Sequence, residues 1–138
     1  MRTFNSLAGF GAFVAGMVAE VEHAKHQALD EASKLLLEEA KSYPGEYQPG
    51  WPSLAPPTLA RKAADTPLLE TGEMRDSYQR SVGHGEARVG SNNDKAVWHE
   101  LGTSRVPPRP VLQTAAHAKE AEIRALLGKK AVAALIKP

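Results

Sequence analysis

FVAGMVAEVEHAKHQALDEASKLLLEEAKSY, residues 13–43, repeats its apolar positions at Val14, Met17, Val21, Ala24, Ala28, Ala32, Leu35, Leu36 and Ala40. Steps of three and four bring these side chains to one face of a helix. Glu20, Glu22, Lys25, Asp30, Glu31, Lys34, Glu38 and Lys41 fill much of the opposite face. Pro44-Gly45 ends the pattern, because proline removes a backbone donor and glycine releases the chain. The spacing therefore predicts one long helix over 13–43. Upstream, Leu7 to Ala19 (LAGFGAFVAGMVA) is an uncharged run of thirteen residues. It falls short of the roughly 20 residues a bilayer-spanning helix needs. Three glycines interrupt it and Glu20 follows without a small-x-small cleavage site, so it reads as a packing segment rather than a secretion signal.

Downstream, residues 44–67 hold six prolines and two glycines. That density predicts an extended arm, with a short helical turn over 58–64 capped by Thr58, and with Trp51 and Leu54 pinning it to the core. Residues 74–82 and 86–90 read as two strands joined at Gly83-His84-Gly85, a β-hairpin. Asn92, Asn93 and Asp94 form a turn, and 96–101 a short helical piece. A loop with Arg105 and Arg109 follows, stiffened by Pro107, Pro108 and Pro110, with Glu100 and Gly102 shaping the turn that leads into it. Residues 111–127 read as a helix that Gly128 terminates, with a last short helix over 131–136. The expected fold is α+β: two helices, N- and C-terminal, on a small antiparallel sheet. It is expected to be a single domain over 1–138, with segments 1–43, 44–67, 68–110 and 111–138.

Composition narrows the function classes. Seventeen basic against 16 acidic side chains give a net charge of +1, against a dedicated nucleic-acid binder. The absence of cysteine removes thiolate nucleophiles, thiolate metal sites and disulfides. His23 and His26, three apart beside Glu22, have no third ligand at a metal-site spacing, and His99-Glu100 lacks the second histidine of a zinc-peptidase helix. Gly83 and Gly85, with the later Gly90, do not make a phosphate-binding loop, because a strand rather than a helix follows the glycine pair. No serine sits between glycines in a nucleophile elbow. Neither a catalytic residue, a cofactor nor a metal is expected. Lys119, Arg124, Lys129, Lys130 and Lys137 make the C-terminal part mildly basic, diluted by Glu120 and Glu122; a solvated helix face is the first reading and a DNA-facing surface the alternative.

Three stretches read together carry a resemblance: LLETGEMRDS (68–77), RVGSN (88–92) and AVWHELGTSRVPPRPVL (96–112). In order and spacing they resemble the tailed-bacteriophage neck or tail-completion family, the small "tail component" proteins. The matching positions are Thr71-Gly72 with Met74-Arg75, which in the family open a strand, then Ala96, Glu100, Gly102 and Thr103, and then Arg109-Pro110. Trp51-Pro52-Ser53-Leu54, with Thr58 and Lys62, is similar to the related virion-morphogenesis proteins of Mu-like phages. Lys95 stands where the family has a tyrosine, and an aromatic appears at Trp98 instead. The resemblance implies a virion protein without enzymatic activity, made in the host cytoplasm, that forms a hexameric or dodecameric ring. It further implies head connector or head-closure proteins as partners on one side, tail terminator or tail tube on the other, and DNA passing through the lumen. Trp51, Arg105 and Arg109 are the expected contact residues. A tail-terminator ring subunit and a DNA-associated accessory protein are the alternatives.

Overall fold

In a computed structural model, which describes residues 2–136, the periodic stretch belongs to a 36-residue helix, α1 (Leu7–Ser42). It starts six residues before the expected position. The Ser6 side chain accepts from Gly9 N at 3.0 Å and so satisfies one of the free donors of the first turn. Phe4 folds back over that turn, its ring centroid 5.3 Å from Phe10 and 5.0 Å from Phe13. Arg2 lies 4.8 Å above the Phe13 ring.

The arm makes one short helix, α2 (Pro56–Lys62). It opens two residues earlier than expected, because Pro56 and Pro57 occupy the first helical positions, where a missing N–H costs nothing. Thr58 therefore sits inside the first turn rather than capping it, and Ala55 takes the N-cap position. The expected first strand is also shorter. Residues Glu73–Ser77 form a helical turn, α3, entered from Gly72 at φ 85°, and only Tyr78–Val82 is strand β1. A helical turn, not a strand, thus follows Thr71-Gly72. Strand β2 (Ala87–Ser91) pairs antiparallel with β1, Tyr78 opposite Ser91 and Val82 opposite Ala87. Gly83 N donates to Glu86 O at 2.8 Å to close the turn.

Helix α4 (Asp94–Leu101) is capped by the Asn93 side chain accepting from Lys95 N. Helix α5 (Leu112–Ile136) runs unbroken through Gly128, so that glycine is not a C-cap and the last two expected helices are one. A mid-helix glycine costs about 1 kcal/mol, which packing along α1 outweighs. Lys119 reaches Glu39 at 3.6 Å and Lys130 reaches Glu31 at 3.0 Å, pairs that set α5 antiparallel to α1. Lys137 lies outside the described residues.

The fold is α+β: the long N-terminal helix and the C-terminal helix with a small two-stranded antiparallel sheet. The hairpin docks on α1, where Arg80 bonds the Asp30 carboxylate at 2.6 Å and Ser33 Oγ at 3.1 Å. That hydrogen bond, helped by Lys34, holds the Asp30 carboxyl below the usual range. The core gathers Ala40 and Tyr43 of α1, Trp51 of the arm, Met74, Tyr78, Ala96, Val111 and Ala115. Tyr43 and Trp51 meet edge to face, centroids 6.4 Å apart. Burial pushes the Tyr78 hydroxyl up to about 12. The first half of α1 contributes no residue to this core.

Candidate functional site

The loop after α4 is held at both ends by its own chain. Helix α4 stops at Gly102, at φ 77° and ψ 161°, with its N–H bonded to Trp98 O at 2.8 Å. Only glycine adopts this backbone geometry without strain. A Cβ there would lie 2.9 Å from Pro108 Cδ and 3.1 Å from the Pro108 nitrogen. Thr103 then folds the loop locally: its N–H donates to Val106 O, and its hydroxyl accepts from Arg105 N and Val106 N. At the far end, Arg109 N donates to His99 O at 2.7 Å, which ties the loop back to α4.

Glu100 does more than shape a turn. Its carboxylate accepts from Val111 N at 2.7 Å, Leu112 N at 3.0 Å and Gln113 N at 2.8 Å. These are free donors at the start of α5, so one acid eleven residues upstream caps that helix against its positive end. Thr114 adds a bond from its hydroxyl to Pro110 O. Glu100 and Gly102 thus fix the direction in which the chain leaves α4 and enters α5.

The three expected contact residues are divided. Arg105 is exposed near the loop tip, flanked by Pro107 and Pro108, which are also exposed. Arg109, by contrast, is 4% exposed. Its Nε and Nη2 donate to Pro52 O at 3.0 and 2.8 Å, and Nη2 also to Ser53 O at 2.9 Å. Trp51 is 9% exposed and packs in the core. In this chain Arg109 and Trp51 are therefore internal: one clamps the arm to the loop and the other seats the arm on α1. An interior that needed a planar, multiply donating cation accounts for the arginine. Pro110 is half-buried.

Arm and loop together enclose a cleft of about 650 Å³, floored by α3 and α4. Arg61, Lys62, Lys95, Arg105 and Arg109 line it with His99, and Glu70 and Glu73 are its carboxylates. Arg61 pairs with Glu70, and Lys62 donates to Thr66 O. Burial, then the charges of Arg109, Lys62 and Lys95, hold the His99 imidazole below its ordinary range. Burial lowers the Lys62 ammonium as well. Sequence reasoning missed this cluster, because its members are spread from 61 to 109 and share no local motif. His23 and His26 are exposed on α1, far in sequence from it.

The depressed His99 sets a pH dependence. In the unfolded chain a histidine takes its proton near 6.5, whereas the folded one resists it to a lower pH. The stability from neutral His99 is thus complete above about 6.5 and declines as pH falls toward the folded value. Urea unfolding from about pH 7.5 to about pH 5.5 is expected to show falling stability, with a shallower fall in His99→Leu. Equal pH slopes in the two proteins would contradict the assignment.

Against protein families, curated proteins and solved structures, the chain finds no match.

Proposed function

We propose that this chain is a structural protein of the head-tail neck of a tailed bacteriophage, a neck or tail-completion subunit that assembles into a ring. The ordered motifs at 68–77, 88–92 and 96–112 motivate that reading, and one structural observation carries it. The antiparallel pairs Lys119–Glu39 and Lys130–Glu31 put the end of α5 near the level of Lys25 on α1. The first eighteen or so residues of α1, about 27 Å of helix, therefore extend past their partner. Along them Leu7 (86% exposed), Phe10 (47%), Val14 (40%) and Val18 (57%) are uncovered.

The stripe Leu7, Phe10, Val14, Met17, Val21, Ala24, Ala28 keeps one alternation of three and four from bare helix to packed helix. A face that packs in one half and stands bare in the other is built for burial by a neighbour. Arg2 aside, nothing from residue 2 to residue 19 is charged, so a polar surface would gain nothing by covering it. A second copy offering a different surface makes a heterologous contact, which closes into a ring when the rotation allows. The stiff loop carrying Arg105 is then free to meet the proteins above or below, at little cost in ordering.

The assembly state of the purified protein tests this. Sedimentation velocity is expected to show a discrete oligomer for the natural sequence and a monomer for Val14→Asp, with unchanged far-UV circular dichroism. A monomer in both cases, at concentrations of about 100 μM, would contradict self-assembly, since a working interface of standard size binds far more tightly.

A further inference from the structure

We propose that the cleft between arm and loop binds a carboxylate-bearing, partly apolar peptide segment of another protein. The site gathers five cationic side chains and only two carboxylates. One cation, Arg61, is paired with Glu70. Arg109 is buried with carbonyl partners alone, and among the described residues Lys95 and Arg105 have no ion pair. Folding has therefore drawn together more cations than the cleft's carboxylates offset, and a buried cation is costly when unpaired. His99 adds a buried ring nitrogen, Nδ1, without a hydrogen-bond partner. A group with acceptor oxygens would relieve the repulsion, and one within reach of the imidazole would favour its protonated, donating form.

Two observations select a peptide over a nucleic acid. Leu54, Leu68 and Val106 share the lining with the cations, so the occupant has apolar groups beside its charge. Moreover, the whole chain has 17 basic and 16 acidic side chains. With five cations and two carboxylates in the cleft, the remainder is acid-rich. Outside the cleft no net basic excess remains to hold a polyanion along a longer path, whereas one or two acidic side chains need only the cleft. The volume, about 650 Å³, suits a few residues rather than a folded surface. This inference stands apart from ring assembly, since none of the cleft residues lies on α1.

The test follows the His99 ring signals by NMR, with a blocked Leu-Glu-Leu-Asp-Leu peptide, its Gln/Asn counterpart, inorganic phosphate and a short oligothymidylate as probes. The acidic peptide is expected to bind saturably, to raise the pH at which His99 titrates, and to bind at least about tenfold better than the amide peptide. Lys95→Glu with Arg105→Glu, both on exposed side chains, is expected to abolish that binding while thermal stability holds. Equal binding of the acidic and amide peptides, unchanged binding by the double variant, or no response to any peptide would overturn the proposal. Tighter binding of the oligothymidylate than of the peptide would overturn it too, in favour of a nucleic-acid site.

Discussion

Gly102→Val is expected to destabilise the protein by about 3 kcal/mol or more, roughly 10 °C in Tm for a chain of this size. Two costs combine. The backbone at φ 77° and ψ 161° lies where only glycine sits freely, which alone is worth about 1–3 kcal/mol to any other residue. The added Cβ also meets Pro108 at 2.9 Å on Cδ and 3.1 Å on the nitrogen. Proline cannot swing aside: its ring is part of the backbone, and Arg109, the next residue, is tied to His99 O. Relaxing the clash would pull that bond and the Glu100 cap of α5 out of register. Gly128→Ala is the internal control, since it lies within α5 and a new Cβ there meets nothing within 4 Å beyond its own helix backbone. It is expected to stabilise by up to about 1 kcal/mol. Thermal unfolding of the two variants checks both signs; a Gly102→Val protein within about 0.5 kcal/mol of the natural one would refute the strained turn.

Arg109→Leu is expected to cost about 3 kcal/mol, with the arm released from the loop. The side chain is 4% exposed and makes three hydrogen bonds to two carbonyls some 56 and 57 residues away in sequence. Leucine would leave Pro52 O and Ser53 O without the guanidinium that joins the arm to the loop. Hydrogen bonds from a charged donor contribute about 1.5–3 kcal/mol. Arg109→Lys keeps the charge but has no planar fork, so it is expected to recover less than half of the loss. Hydrogen exchange separates this from general unfolding. Amides of 51–62 are expected to exchange faster in Arg109→Leu, while those in the middle of α1 stay protected. Full recovery by lysine would show that charge, not fork geometry, is what the site needs.

How far the sequence reveals this molecule depends on the range of the interactions. Helix α1 and the hairpin are set by neighbours three, four or a few residues apart, and periodicity and glycine placement show them. The arm's helix was two residues out because Pro56 and Pro57 start a helix as readily as they break one. Met74 to Ser77 alternate well enough for a strand, yet Gly72 in the left-handed region turns the chain into α3 instead. Gly128 looks like a terminator until α1 is laid beside it. Least legible was the candidate site. Glu100 was expected to shape a turn, but that it caps α5 depends on where Val111 arrives. Arg109 was expected to face a partner, and its burial depends on an arm that precedes it by more than fifty residues. The cleft is visible only once 61, 95 and 109 share a wall, which no local pattern announces.

The most direct test of the proposed neck role is electron microscopy of the purified protein, beside particles of any tailed phage whose genome carries its gene. Closed rings of six or twelve identical subunits are expected, with an open lumen and matching density between head connector and tail. A strictly monomeric protein, absent from mature particles, would contradict it.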